Sequence, residues 1–157
     1  MASLAMAPAL PASAQAEWGY STEITNVGNG AHWAVESSSP AVESTTVPLG
    51  VLGPRAQWNI DRQHDGTVTI RNEATGQCAE TFIEPNARIF TAPCNTWDVN
   101  QKWNLTQRWD GFVISPAADS RLAVVASTDQ HRDTPLVLGV RPYDTNDTPN
   151  AVFRLNY

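Results

Sequence analysis

The reactive side chains of this sequence do not form any common catalytic motif. The sequence contains no Gly-x-Ser-x-Gly nucleophile motif, no phosphate-binding glycine-rich loop and no His-Glu-x-x-His metal motif. Asp129, His131 and Asp133 alternate in one polar stretch, but this pattern is more typical of a solvated loop than of an acid–base pair. His32 and His64 fall at the ends of predicted strands or in loops. We therefore expect a protein that is not an enzyme.

The first residues of the chain have the character of a leader. Residues 1–16 contain no charged side chain, and residues 4–10 are mostly apolar. Ala14-Gln15-Ala16 is a small-x-small sequence of the kind that precedes signal-peptide cleavage, and the polar chain begins at Glu17. We expect the remnant of a secretory signal peptide and a secreted, extracellular protein, although no Lys or Arg precedes the apolar run. A disordered leader rich in Ala and Pro is the alternative.

Residues 17–157 are expected to form a single domain. About 140 residues are enough for one hydrophobic core and too few for two. The 11 prolines, 9 glycines and 6 tryptophans favour an all-β domain with many turns. A net charge of −6 without a cluster of Lys or Arg argues against nucleic acid and anionic membranes as partners. No stretch has the roughly 18 apolar residues of a membrane span.

The two cysteines could form a disulfide or bind a metal. Cys78 and Cys94 flank a predicted β-hairpin, so that their approach is plausible, and paired cysteines in secreted proteins usually form disulfides. A zinc site is the weaker alternative, because two cysteines without a paired histidine do not supply its ligands. We predict a Cys78–Cys94 disulfide, no metal and no other cofactor.

Short strands separated by turn residues are predicted along the whole chain. Val68 and Ile70 alternate with polar residues directly after the turn dipeptide Asp65-Gly66. Turn residues at 73–76 and 85–87 divide the stretch that follows. The patterns predict strands at residues 21–27, 32–36, 45–52, 58–60, 68–71, 79–83, 89–91, 103–105, 112–115, 122–126, 136–140 and 153–157, with polar loops at 127–135 and 142–150.

An internal repeat divides these strands into three groups. Trp58-Asn59-Ile60 and Trp103-Asn104-Leu105 lie about 45 positions apart, as do two Asp-Gly turns that follow them. Phe153-Arg154-Leu155 comes about 50 positions later. We predict repeats at residues 20–64, 65–109 and 110–157 that share one core, because a single four-stranded unit buries too little apolar surface alone. The repeated ring residues, Trp58, Trp103 and Phe153, are expected to point into this core.

The middle repeat resembles the ricin-type β-trefoil lectin domain. The resemblance rests on Gly76-Gln77-Cys78, on Cys94 and on Gln101-Lys102-Trp103, the Gln-x-Trp sequence that closes each repeat in that family. Ala56-Gln57-Trp58 and Ala151-Val152-Phe153 match it more weakly. It implies a β-trefoil, an all-β fold of three repeats with pseudo-threefold symmetry. Residues 70–78 also resemble the lectin-like delivery subunits of cytolethal distending toxins.

The ricin-type resemblance also implies where a sugar would bind. In that family an acid two residues after the first cysteine accepts hydrogen bonds from sugar hydroxyls, and Glu80 occupies this position. The stacking ring two residues before the second cysteine is missing, since Ala92 stands there, and Trp97 is the expected substitute. Ala34 and Val125, which occupy the position of Glu80 in the other repeats, cannot accept a hydrogen bond from a sugar hydroxyl. The predicted ligand-binding residues are Glu80, Trp97, Asp98, Asn100 and Gln101.

Two functional hypotheses of different classes follow. The first is a carbohydrate-binding, lectin-like module with at most one altered sugar site, in the middle repeat. The second is a protein-binding adaptor or delivery subunit of a secreted, toxin-like assembly whose sugar sites have decayed, with another secreted protein as partner. A trefoil protease inhibitor is a weaker third hypothesis. For the site residues the alternatives are a surface or turn-bonded carboxylate at Glu80 and packing of Trp97 against the disulfide.

Overall fold

The structure is a computed structural model, and it describes residues 19–36, 38–108, 110–126, 133–142 and 148–156. The predicted leader, residues 1–16, lies outside these described residues. So do Asp129 and His131 and most of the two predicted polar loops.

Thirteen strands and a few short helical turns make up the described part of the chain. The strands are β1 Gly19–Asn26, β2 His32–Val35, β3 Val42–Thr45, β4 Trp58–Arg62, β5 Val68–Asn72, β6 Cys78–Glu80, β7 Phe90–Ala92, β8 Trp103–Arg108, β9 Gly111–Pro116, β10 Leu122–Val125, β11 Asp133–Pro135, β12 Val137–Val140 and β13 Phe153–Asn156. The α-helix α1 is Leu49–Leu52, and 3-10 helices span Gly53–Ala56, Val99–Gln101 and Pro149–Ala151. Within these residues, no helix has the length and apolar character that crossing a bilayer requires.

Six of the strands close into a barrel. Antiparallel pairing runs from β1 to β4, β5, β8, β9 and β13 and returns to β1. The pairs β2–β3, β6–β7 and β10–β12 lie outside this ring, one pair in each predicted repeat. Six barrel strands with three added hairpins are the β-trefoil architecture, which confirms the predicted fold class.

The turns of the barrel are determined by local sequence. Between β4 and β5, Gly66 adopts a positive φ of 87°. The Asp65 side chain accepts a hydrogen bond from the Thr67 backbone N–H at 3.0 Å. Aspartate and glycine suit these positions, because the short carboxylate bonds its own backbone and glycine tolerates a left-handed conformation. The Asp-Gly dipeptide therefore fixes a tight connection between two barrel strands.

The repeated rings lie at the centre of the core. Trp58, Trp103 and Phe153 are all 0% exposed. The indole N–H of Trp58 donates to the Trp33 carbonyl at 3.0 Å, and that of Trp103 donates to the Ala79 carbonyl at 3.1 Å. Each indole thus ties the end of its repeat to the outer hairpin of the same repeat. This shared contact defines which hairpin residues are equivalent.

The strand predicted at residues 45–52 is wrong. The strand β3 ends at Thr45, and the apolar residues that follow form the helix α1. Leu52 of this helix packs with Ala34 and Ala56 in a small apolar cluster of its own. Contact with these two small side chains, rather than strand pairing, accounts for the burial of Leu52, while the neighbouring Val51 remains exposed. A short strand, β11, also ends the stretch predicted as a loop at 127–135.

Candidate functional site

The hairpin of the middle repeat carries the acid predicted to bind a ligand. In β6 and β7, Cys78 lies opposite Ala92 and Glu80 lies opposite Phe90. The Cys78–Cys94 disulfide is present, with an S–S distance of 2.03 Å, and it closes the base of the hairpin. Ala79 is fully buried, whereas Glu80 is only half-buried. Because side chains alternate along a strand, Glu80 points away from the core.

Gln101 holds the Glu80 carboxylate in place. Its amide Nε2 donates to Oε1 of Glu80 at 2.8 Å and to the carbonyl of Pro93 at 2.9 Å. Its Oε1 accepts the backbone N–H of Asn95 at 2.8 Å. Gln101 is 1% exposed. Gln101 was predicted to bind the ligand, and that stays a prediction; in the structure its amide is buried and bonded at both ends, so that it positions Glu80 and the following loop.

The flanking repeats lack this polar pair. In the first repeat, Ala34 follows the residue bonded by Trp58, as Glu80 follows the residue bonded by Trp103. Ala56 stands in the position of Gln101, two residues before the repeated ring. In the third repeat the two positions are Val125 and Ala151. The Glu80–Gln101 pair is thus replaced by Ala34 and Ala56 in the first repeat and by Val125 and Ala151 in the third. None of these four side chains can accept a hydrogen bond from a hydroxyl group.

Two phenylalanines beside Glu80 were missed by the sequence analysis. Phe82 is 61% exposed, and its ring centroid lies 5.8 Å from that of the half-buried Phe90. Phe90 is the direct cross-strand partner of Glu80, so both side chains emerge on the same face of the hairpin. The sequence carries no signal for this pairing, because it depends on the register between β6 and β7, which sets Cys78 opposite Ala92 and therefore Phe90 opposite Glu80.

Trp97, predicted to stack on a sugar bound at Glu80, lies in the exposed loop after Cys94. It is 90% exposed, so it does not pack against the disulfide. It lines a cleft of about 460 Å³ together with Gln63, His64, Asp65, Thr96 and Lys102. Glu80 is not among the residues that line this cleft. The structure therefore does not place Trp97 and Glu80 in a common cavity.

Asp98 and Asn100 shape the loop that passes beside the hairpin. A side-chain oxygen of Asp98 accepts the backbone N–H of Asn100 at 2.9 Å and caps the short helix Val99–Gln101. The Asn100 carbonyl accepts the backbone N–H of Thr81, the residue after Glu80, at 3.2 Å. Asn100 thus lies against the end of β6, and its half-buried side-chain amide forms no hydrogen bond with the described residues. Asp98 acts on the backbone of this loop.

The clearest electrostatic effect in this region belongs to Asp65. Lys102 donates a hydrogen bond from Nζ to Oδ2 of Asp65 at 2.8 Å. This bond, followed by those from Thr67, holds the pKa of the Asp65 carboxyl well below its usual range. The described part of the chain contains no group of three or more His, Cys, Asp or Glu side chains that could hold a metal ion.

Comparisons with known proteins agree with this architecture. A family model described as "Ricin-type beta-trefoil lectin domain-like" matches residues 13–83, slightly less than half of the chain. A comparison with curated proteins gives no match. The matched residues cover the first repeat and the start of the second, whereas the Cys and Gln-x-Trp motifs extend to Trp103. The similarity to the ricin-type family therefore also includes the first repeat, in addition to the middle repeat that carries the Cys and Gln-x-Trp motifs.

Several solved structures share the fold. The ricin B-like lectin of Macrolepiota procera, solved in complex with lactose, is 14% identical with a TM-score of 0.71, over 87% of this chain and 94% of that chain. The cytolethal distending toxin of Actinobacillus actinomycetemcomitans is 16% identical with a TM-score of 0.73, over 87% and 90%. The designed threefold-symmetric protein ThreeFoil is 16% identical with a TM-score of 0.75, over 87% and 98%. The resemblances to ricin-type lectins and to cytolethal distending toxin subunits are thus confirmed, and at these identities they show the fold.

Proposed function

We propose that this chain is a secreted, non-catalytic carbohydrate-binding module whose sugar site lies on the hairpin β6–β7 of the middle repeat. The observation that carries the proposal is the Glu80–Gln101 hydrogen bond of 2.8 Å. This is a preorganised carboxylate at the one position of the three repeats that has kept an acid. The ricin-type family match and the lactose complex of a protein with the same fold support a sugar as the ligand.

Glu80 has the chemistry that this task requires. Gln101 bonds Oε1, and Oε2 receives no hydrogen bond from the described residues. An ionised carboxylate only accepts hydrogen bonds, so adjacent sugar hydroxyls can both donate to it. Such charge-assisted bonds are about twice as strong as neutral ones. Gln101 also fixes the carboxylate before the ligand arrives, which reduces the entropy lost on binding.

The aromatic face of this site comes from Phe82 and Phe90. An aromatic ring offers a flat apolar surface for the C–H groups of a pyranose, and Phe82 is the more exposed of the two rings. Asn100 lies beside the same strand end and adds an amide that can donate and accept. The proposed contact residues are thus Glu80, Phe82, Phe90 and Asn100, with Gln101 and Asp98 supporting them.

Two substitutions and a matched control test the proposal. A glycan array with the full chain identifies the best ligand, and calorimetry then measures its affinity for the variants. Glu80→Gln keeps the shape but removes the charge, so we expect binding to weaken by about 1.5–3 kcal/mol. Phe82→Ala should also weaken binding, because the stacking surface is lost. Glu84→Gln, an exposed acid in the same loop, is the control and should bind as the wild type does.

Wild-type affinity in both Glu80→Gln and Phe82→Ala would remove this hairpin as the sugar site. Unfolding measurements on the same variants show whether a loss of binding reflects a loss of structure. Both side chains point away from the core, and we expect unchanged folds.

A protein-binding adaptor is the second candidate function. Its support is a set of large apolar side chains that remain exposed, including Val51 at 72% and Val140 at 81%. The fold shared with the cytolethal distending toxin makes a role in a multi-protein assembly a reasonable alternative. On this hypothesis no glycan binds, and a pull-down from the culture fluid of the source recovers a defined partner. That interaction would be weakened by Val51→Ser or Val140→Ser and not by Glu80→Gln.

A further inference from the structure

The cleft beside Trp97 is distinct from the hairpin site and lies where the first and middle repeats meet. It is lined by Gln63, His64 and Asp65 from the β4–β5 turn and by Thr96 and Trp97 from the loop after Cys94. Lys102 completes the lining and bonds Asp65. The cleft has a volume of about 460 Å³, within the range of roughly 300–1,000 Å³ that is typical of small-molecule sites.

The indole of Trp97 is displayed on a fixed backbone. A side-chain oxygen of Asn95 accepts the Trp97 backbone N–H at 3.0 Å, and the Asn95 carbonyl accepts that of Asp98 at 3.0 Å. Asn95 itself donates to the buried Gln101, and the preceding Cys94 is held by the disulfide. Burial of an indole is strongly favourable, and a ring left 90% exposed on so firmly held a turn forgoes that gain. This combination is typical of a recognition residue.

An ion pair supplies the polar half of the cleft. Nζ of Lys102 donates to Oδ2 of Asp65 at 2.8 Å, while Oδ1 of Asp65 accepts the hydroxyl of Thr67 at 2.6 Å. An ammonium group has three hydrogens, and one of them is used by Asp65. The Lys102 and Asp65 side chains keep 24% and 47% of their surface exposed. A donor and an acceptor therefore lie side by side, next to an aromatic face.

The charge balance of this pair selects the class of ligand. A free anion would have to compete with Asp65 for Lys102, and a free cation would have to compete with Lys102 for Asp65. A neutral polyol meets neither obstacle, since each of its hydroxyl groups can donate to the carboxylate and accept from the ammonium. A pyranose adds a C–H face that can lie on the Trp97 ring. The exposed Trp97 ring and the charge-neutral Lys102–Asp65 ion pair therefore fit a neutral sugar.

From this geometry we infer that the cleft between Trp97, Lys102 and Asp65 is a second saccharide site, which binds a neutral pyranose independently of the Glu80 hairpin. The consequence is a chain with two different sugar sites. A ligand that engages both would gain avidity over either contact alone, provided that its spacing permits simultaneous binding. A branched or multivalent glycan would then be retained better than a free monosaccharide.

Fluorine NMR of the full chain carrying 5-fluorotryptophan tests this site directly. The Trp97 resonance is identified by its loss in Trp97→Phe. The probes are lactose, N-acetylglucosamine and methyl mannoside, each titrated to tens of millimolar, beside glucuronate as an anion and choline as a cation. We expect at least one neutral sugar to shift the Trp97 resonance in a saturable way. The resonances of the fully buried Trp33, Trp58 and Trp103 should remain unchanged.

Variants separate this cleft from the hairpin site. Lys102→Met should weaken the sugar that shifts Trp97 by about ten-fold or more, since its hydroxyls lose their charged donor. Val99→Ala, another exposed apolar residue in the same loop, should leave that affinity unchanged. Glu80→Gln should also leave the Trp97 response unchanged, so that failure of the hairpin site and failure of this cleft are seen separately.

Three outcomes would overturn the inference. The first is a Trp97 resonance that no neutral probe shifts. The second is a shift produced by glucuronate or choline alone, which would identify an ion-binding surface instead. The third is a sugar affinity that survives Lys102→Met, which would show that the ion pair does not contact the ligand.

Discussion

Replacing Gln101 by alanine tests whether this residue supports the site or contacts the ligand. The side chain is buried and forms three hydrogen bonds, to Glu80, to Pro93 and to Asn95. Alanine removes all three at once. It leaves the Asn95 N–H and the Pro93 carbonyl without these partners and frees the Glu80 carboxylate to rotate.

The structure sets the expected size of the effect. A neutral intramolecular hydrogen bond contributes about 0.5–1.5 kcal/mol, and a buried group left unsatisfied costs about 1–3 kcal/mol. Glu80 is half-buried and can regain water, so its bond should contribute less than a buried charged bond would. Together these terms predict a loss of about 2–4 kcal/mol in the free energy of unfolding. The melting temperature should fall by roughly 5–15 °C for a domain of this size.

Urea denaturation of Gln101→Ala measures this loss, and Gln107→Ala serves as the matched control. Gln107 is an exposed glutamine on β8, so its replacement should change stability by less than about 0.5 kcal/mol. Sugar affinity should fall in Gln101→Ala, because Glu80 is no longer fixed. A loss of stability below about 1 kcal/mol would refute the reasoning. Unchanged stability with abolished binding would show that Gln101 contacts the ligand itself.

Three further predictions concern stability. Reducing the Cys78–Cys94 disulfide should destabilise the fold by about 3 kcal/mol through the chain entropy regained on unfolding, and equal melting temperatures with and without reductant would contradict this. Trp103→Ala should cost about 3–5 kcal/mol in urea, the range for emptying the site of a buried ring, and a loss under about 1 kcal/mol would mean that the core does not depend on it. Burial lowers the pKa of His32 below its usual value of 6.5, and the negative charge of Glu23, which raises the pKa, offsets only part of this effect. The unfolded chain therefore takes up the proton first, so stability should decrease as the pH falls below 6.5 through the folded-state pKa, and His32→Gln should lose this dependence in thermal melts.

Local sequence patterns were sufficient to predict most of the fold. Trp58 and Trp103 recur at the spacing of the repeat, and a pseudo-threefold fold requires such a recurrence. Asp65-Gly66 specifies its turn locally, through a hydrogen bond between the Asp65 side chain and the nearby backbone and the positive φ of Gly66. The alternation of Val68 and Ile70 requires only a strand with one buried face. These signals act over a few residues, so they survive without knowledge of what lies across the barrel. The strand predicted at 45–52 failed because Leu52 is buried against Ala34 of β2 and Ala56 of the following 3-10 helix while Val51 stays exposed, an arrangement that the apolar run by itself does not show.

The candidate site depended more on long-range placement. The sequence located Glu80 through its distance from Cys78, a relation within one strand. It could not show that Phe90 shares a face with Glu80, because this depends on the register between β6 and β7. Nor could it assign Gln101 to the interior and Trp97 to a separate cleft, because both depend on the path of the loop over its neighbours. Residue types and short spacings were thus determined by the sequence itself, while the pairing of strands and the folding of one loop decided which side chains meet.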